Sequence, residues 1–217
     1  LFNDSQFFFI EKKASLSDKD VELLTRFVYE NSETFHPERK KEFLLGRLCA
    51  SRAYEQLIGS ELISLPVNPD RSPHWPPQIL GSISHNQFLV GAVVSNSKNL
   101  IGVGIDFEVV GRVRPELIRY ITNSQDLTGH HSLTQEELLT IIFSAKESLY
   151  KALFPLVKKF FGFEAAALRE IDCEKGEFTI DLINQISEEF GPEKRYQFKG
   201  RFLISTLNCL TVLEILK

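Results

Sequence analysis

Ile101-Gly-Val-Gly-Ile-Asp-Phe-Glu-Val109 is the stretch on which the fold turns. Alternate residues of a strand share a face, so Val103, Ile105, Phe107 and Val109 form one apolar set, and Gly102, Gly104, Asp106 and Glu108 form the other. The alternation predicts a strand whose first face is core. On the second face two carboxylates converge at i and i+2, beside two glycines that leave room for something large to approach the backbone. Such a face is either a solvated strand surface or a seat for a hard divalent cation, because Mg²⁺ is typically held by one or two carboxylates and completes its shell with water and substrate phosphate. A dinucleotide fingerprint is excluded: Phe107 stands where the third glycine would be, and the pair lies inside a strand.

Upstream, short β-type runs at 81–85 and 88–94 precede 100–110, broken by Asn86-Gln87 and by the polar stretch 96–99, so the three read as a meander. The proline-rich stretch 65–77 forbids regular structure. Before it, Pro37 suits a first helical position, and Phe43, Leu44, Leu48 and Leu57 carry a helical pattern to Gly59. Ser17-Asp18-Lys19-Asp20 caps an earlier helix with Val21, Leu24 and Val28 on one face, running to about Tyr29. Downstream, Thr134-Gln-Glu-Glu137 matches a capping box; it opens a helix carried by Leu138, Ile142, Phe143, Leu149, Tyr150 and Leu153, with Pro155 as its stop. Runs at 177–183, 196–204 and 210–216 read as strands. The order helices, strands, helices, strands places one helix-then-strand unit in each half, at about 1–100 and 101–217, and predicts an α+β protein of two similar α/β halves.

The chain has 217 residues, 43% hydrophobic and 25% charged, the balance of a soluble globular protein. A chain of this size should bury roughly 70–75% of its unfolded surface without a disulfide or metal staple. Its net charge of −4 argues against a nucleic-acid partner, since duplex binding draws on a basic excess. Cys49, Cys173 and Cys209 lie far apart, leave an odd thiol in any pairing and suit reduced core residues, so a cytoplasmic location is expected. No apolar run approaches 18 residues, and Leu1 opens a mixed stretch with Asn3 and Asp4, so neither a membrane span nor a signal peptide is expected.

Among residues able to carry chemistry, Glu147 shares a helix face with Phe143, Tyr150 and Phe154. Lys151 is its i+4 neighbour, an ordinary pairing that stabilises an exposed helix by about 0.2–0.5 kcal/mol. Together with Asp106 and Glu108, however, Lys146, Glu147 and Lys151 offer three acids for a cation and two ammonium groups for a polyphosphate. Ser84 and His85 at a strand end are either structural or a phosphate clasp. His130-His131 suits an exposed polar loop, and Trp75 suits packing. Gly-x-Ser-x-Gly, His-Glu-x-x-His and Walker A patterns are absent, which removes the common hydrolase, zinc protease and nucleoside triphosphatase classes.

Taken in order, Gly46-Arg47, Trp75-Pro76, Gly81-Ser-Ile-Ser-His85, Gly104-Ile-Asp-Phe-Glu108 and Phe143-Ser-Ala-Lys-Glu-Ser-Leu-Tyr-Lys-Ala152 resemble the 4′-phosphopantetheinyl transferases, and the enterobactin-synthase type in particular. The resemblance covers roughly residues 36–168, and its last two blocks are the family's signatures. It implies a monomer of two similar α/β halves related by pseudo-two-fold symmetry, with coenzyme A in the cleft between them. It also implies Mg²⁺-dependent transfer of the phosphopantetheine arm to a serine of an apo acyl or peptidyl carrier protein in siderophore or secondary-metabolite biosynthesis, releasing adenosine 3′,5′-bisphosphate. By the same resemblance, Asp106, Glu108 and Glu147 would hold the metal, Glu147 and Lys151 would be catalytic, and Arg39, Arg47, Ser84, His85, Lys146 and Lys151 would bind the coenzyme. The N-terminal half would then take its adenosine and 3′-phosphate end, and the C-terminal half would carry the metal and the catalytic helix. Where surfactin-type members have Gly-Lys-Pro, this chain has Arg71-Ser72-Pro73, with Arg71 a substitute phosphate contact. Lys158 and Lys159, flanked by Val157, Phe160 and Phe161, are either a carrier-docking segment or solvated lysines beside core aromatics. The same acids would also serve a carboxylate-metal phosphodiesterase, whereas a noncatalytic coenzyme A-binding module would keep Arg47 and His85 without needing the acids.

Overall fold

The computed structural model describes residues 5–27, 35–62, 64–130 and 132–217; the expected end of the first helix near Tyr29 and the residue His131 lie outside them. The chain divides into two compact units, Leu1–Lys98 and Asn99–Lys217. Each is a long helix laid on an antiparallel sheet, so the protein is α+β.

In the first unit, β1 (Ser5–Glu11), β2 (Leu80–His85) and β3 (Leu89–Ser95) pair in the order β1-β3-β2. Helix α1 (Asp18–Arg26) begins at the expected capping box, in which Ser17 and Asp20 satisfy each other's backbone N–H groups. Asp20 also accepts from Arg52 at 2.6 Å, which ties α1 to α2 (Pro37–Ile58). Pro37 opens α2, and Gly59 closes it at φ 82°, a left-handed cap that glycine adopts without strain. Leu45, Leu48 and Cys49 of α2 pack against Val90 and Ala92 of β3 to make the core. Asn86 forms the β2–β3 turn by accepting from the Phe88 and Leu89 N–H groups, both at 2.8 Å.

In the second unit, β4 (Leu100–Val109), β5 (Ala166–Asp172), β6 (Glu177–Leu182), β7 (Gln197–Ile204) and β8 (Asn208–Leu216) pair in the order β4-β8-β7-β6-β5. Helix α3 (Pro115–Ile121) follows β4, and α4 (Gln135–Val157) crosses the sheet, opened by the Thr134–Glu137 capping box. The meander is therefore corrected in part: β2 and β3 pair as expected, but the other neighbour of β3 is β1, a strand not anticipated, while β4 pairs with β8. Pro155 does not end α4 either. A proline in a final turn removes a single hydrogen bond, and the helix continues to Val157 before Lys158 caps it at φ 49°. No helix among the described residues is long and apolar enough to cross a membrane.

Both faces of β4 are buried. Val103, Ile105 and Phe107 are at most 3% exposed, as the alternation predicts. The opposite face is not solvated: a Cβ at Gly102 would collide with the backbone of Ala152, and one at Gly104 with that of Ser148. The large object that the glycines admit is thus α4 itself. Two strand residues advance about 6.6–6.8 Å and four helix residues about 6 Å, so the pairs Gly102/Ala152 and Gly104/Ser148 lead directly to Asp106/Ser144. That register carries the Asp106 carboxylate to α4.

Candidate active site

In the second unit, Asp106 is 3% exposed and yet fully engaged with polar groups. Its Oδ1 accepts from the Lys151 ammonium at 2.6 Å, and its Oδ2 accepts from Ser144 Oγ at 3.0 Å. Glu108 follows two residues along β4. Burial, reinforced by the charges of Asp106 and Glu147 and opposed by Lys151, pushes its carboxyl up to about 7. Glu147 is also raised, by burial first and then by Asp106, against the pull of Lys151. These mutual effects place the three acids in one electrostatic neighbourhood, with the Lys151 cation acting on all three. Among the described residues no three His, Cys, Asp or Glu side chains stand close enough to hold a metal ion. The acids are neighbours in charge without forming a coordination sphere. The donor set still suits a hard divalent cation, being all oxygen and negative in excess of its one ammonium.

Lys146 takes a different place from the one expected. It is 3% exposed, and its ammonium donates to Asp126 at 2.7 Å and to the Ile121 carbonyl at 2.8 Å. Asp126 in turn accepts from the Leu168 N–H at 2.7 Å and the Asn123 N–H at 2.8 Å. At about 100° per residue, Lys146 lies about 140° around the helix from Lys151, and it lines the same cavity as Glu147. Lys146 pins α4 to the α3 end and to β5.

Glu147 lies in the wall of a cavity of about 350 Å³ lined by Tyr120, Tyr150, Phe160, Phe161 and Phe163. Of the aromatic face foreseen on α4, Tyr150 lines this cavity, its ring centroid 5.0 Å from that of Phe161. Phe160 is 76% exposed at its rim, beside Lys158 and Lys159.

A cluster of the opposite balance lies in the first unit. Glu42 of α2 accepts from Lys12 at 2.5 Å, lies 3.4 Å from His85 Nδ1 and 3.8 Å from Arg39 Nη1. Arg39 Nη1 is itself 3.2 Å from His85 Nε2. Burial alone would raise the Glu42 carboxyl, but the surrounding Lys12, His85 and Arg39 hold it below its ordinary value. Arg47 is 7% exposed, stacked 3.7 Å over the Phe43 ring, and its Nε is buried without a hydrogen-bond partner. Burial, with Arg39 nearby, lowers its guanidinium to about 10. Ser84 and His85 do not form a joint clasp, because neighbouring strand residues face opposite ways: His85 reaches Glu42, and Ser84 is buried on the other side of β2. Arg71 sits at φ 68° in the 68–73 turn.

Lys12, Glu42, Ser144 and Thr211 were not singled out by sequence. Only the small-residue row Ser144, Ser148, Ala152 at i+4 spacing, facing two glycines, could have signalled the helix side of the site.

Residues 30–95 match the model of the 4′-phosphopantetheinyl transferase N-terminal domain, and residues 102–206 match that of the 4′-phosphopantetheinyl transferase superfamily. The 4′-phosphopantetheinyl transferase PptT of Mycobacterium tuberculosis is 33% identical over 183 residues, covering 82% of this chain and 80% of that one. Svp of Streptomyces mobaraensis, also a 4′-phosphopantetheinyl transferase, is 31% identical over 68% of this chain and 61% of its own length. Enterobactin synthase component D of Salmonella typhi is 33% identical over 63% of this chain and 57% of its own. The matched region thus spans about three fifths of the last two relatives and four fifths of the first. With both units matched in order, and the signature carboxylates and lysine gathered around one helix–strand contact, the chain belongs to the 4′-phosphopantetheinyl transferase superfamily.

Proposed function

We propose that this chain transfers the 4′-phosphopantetheine arm of coenzyme A to a serine hydroxyl of an apo acyl or peptidyl carrier protein, with Mg²⁺ as the metal and adenosine 3′,5′-bisphosphate as the product. The observation that carries this is the charge imbalance around β4 and α4, where Asp106, Glu108 and Glu147 act on one another and on the Lys151 ammonium. A pyrophosphate brought there would add two negative charges to a site already negative, which is unfavourable without a cation. Asp106, Glu108 and Glu147 would hold Mg²⁺, which when bound offsets the pyrophosphate charge and polarises the reacting phosphate.

The chain's own groups then divide the remaining work. Lys151, already at the site and partly exposed, donates to the leaving phosphate as charge builds on it. By family analogy Glu147 would take the serine proton, directly or through water. In the first unit, the Arg39 and Lys12 cations, with the His85 imidazole beside them, offer polar contacts to the coenzyme's 3′-phosphate and adenosine end. Arg47 adds a buried guanidinium with a donor to spare. The similarity to enterobactin synthase component D supports a carrier used in siderophore or secondary-metabolite assembly.

The test is mass spectrometry of an apo carrier protein incubated with this protein, coenzyme A and Mg²⁺. A gain of one phosphopantetheine on the carrier, abolished by a chelator or by replacing the acceptor serine, is expected. Absence of that gain with acyl and peptidyl carriers alike would overturn the proposal.

A further inference from the structure

Thr211 stands directly opposite Asp106 in the β4–β8 register and is completely buried. Ser144 and Ser148, one turn apart on α4, are also completely buried. Thr211 Oγ1 lies 2.8 Å from both the carbonyl oxygen and the Oγ of Ser144, and 3.1 Å from Ser148 Oγ. Ser148 Oγ reaches the Ala145 carbonyl at 3.0 Å. Three hydroxyls removed from water between a helix and a sheet cost free energy unless they are hydrogen-bonded. Packing alone does not ask for them, since Ala152 makes the equivalent contact one turn later without a polar atom.

What the hydroxyls accomplish follows from proton counting. Each carries one proton. Ser144 commits its proton to Oδ2 of Asp106, so it has none for Thr211, whose single proton faces three acceptors: the Ser144 carbonyl and the Oγ atoms of Ser144 and Ser148. Thr211 therefore sits against both the carbonyl and the hydroxyl of Ser144, and Ser144 in turn holds the carboxylate. With Oδ2 held from below and Oδ1 turned to Lys151, the plane of the carboxylate is fixed.

We infer that Ser144 and Thr211 are positioning residues that hold Asp106 by Oδ2 and present Oδ1 to the cation site. This rests on the proposed role of Asp106 as a metal carboxylate. Groups that orient a ligand without touching the metal typically cost 10–100-fold in metal affinity when removed.

The test uses Mn²⁺ as a spectroscopic stand-in for Mg²⁺, with the unbound ion counted by electron paramagnetic resonance in the presence of coenzyme A. Thr211→Val keeps the side-chain shape and deletes the hydroxyl, whereas Thr211→Ser keeps the hydroxyl and deletes a methyl group. Thr211→Val and Ser144→Ala should each weaken Mn²⁺ binding by about tenfold or more, and Thr211→Ser should bind close to wild type. The transfer rate at saturating metal should recover in the Val variant more fully than the rate at limiting metal. Wild-type Mn²⁺ affinity in Thr211→Val and Ser144→Ala, or a Thr211→Ser loss as large as that of Thr211→Val, would overturn the inference. Asp106→Asn separates the two levels. If it loses Mn²⁺ while Thr211→Val and Ser144→Ala do not, the positioning role alone fails; if it binds Mn²⁺ like wild type, the metal role fails and the inference with it. Should Thr211→Val not fold, Ser144→Ala carries the same expectation.

Discussion

The two units use a similar layout around clusters of opposite local charge. In the first, α2 lies on a three-stranded sheet and one carboxylate, Glu42, faces the Lys12 ammonium, the Arg39 guanidinium and the His85 imidazole. In the second, α4 lies on a five-stranded sheet and one ammonium, Lys151, acts on three carboxylates, Asp106, Glu108 and Glu147. Neither cluster balances itself. A cluster with surplus positive charge suits phosphate, and one with surplus negative charge suits a divalent cation, so a similar helix-on-sheet frame carries two different chemistries.

The strongest way to break this comparison is at Asp106. Asp106→Asn keeps the shape and an acceptor for Ser144 while removing the charge, and it should lower metal-dependent transfer on the order of a thousandfold or more, about 4 kcal/mol. Circular dichroism should show a folded protein. A folded variant with wild-type rates would detach β4 from the chemistry. Next is Lys151→Ala, which should lower kcat at saturating coenzyme A by about a hundredfold or more, roughly 2.7 kcal/mol. If it only offsets acid repulsion, thermal stability should fall while kcat holds.

In the first unit, His85→Ala should raise the KM for coenzyme A by about tenfold, or 1.4 kcal/mol, with kcat nearly unchanged. Dephospho-coenzyme A, which lacks the 3′-phosphate, should be nearly indifferent to the change. Equal losses for both donors would remove the phosphate from this cluster. The smallest effect is expected at the cavity rim, where Lys158→Glu with Lys159→Glu should raise the KM for an acidic carrier a few-fold, leave that for coenzyme A unchanged and flatten the salt dependence. Exposure of Phe160 favours docking over a core role for that aromatic, and Michaelis constants at two salt concentrations decide between docking and solvated lysines.

Much of this is legible in the sequence wherever local chemistry is decisive. Both capping boxes, the Pro37 start and the Gly59 stop depend on residues within a turn of one another. Strand β4 is readable for the same reason, because its alternation is internal. Its partner is not readable, since pairing with β8 leaves no mark in either local pattern. Strand β1 escapes notice because Phe7-Phe8-Phe9 does not alternate, and β5 because Ala166-Ala167-Leu168 suits a helix equally well and its register shifts between Leu168 and Glu170. The acids of the site are visible as charged residues in an apolar setting. Ser144 and Thr211 are not, because a hydroxyl shows its purpose only once its acceptor, distant in sequence, is in place.

The pairing of β4 with β8 also sets a timetable. The first sheet draws all its strands from residues before position 96, whereas β4 waits for a partner roughly 100 residues downstream. At synthesis rates of about 5–20 residues per second, some 5–20 seconds separate the emergence of Asp106 from that of Thr211. During that interval the nascent strand has no neighbour on its β8 side, and the face meant for α4 is bare until that helix arrives. A ribosome-bound chain would therefore complete its first sheet early and assemble the acidic cluster of β4 and α4 last, once β8 has been paired into place.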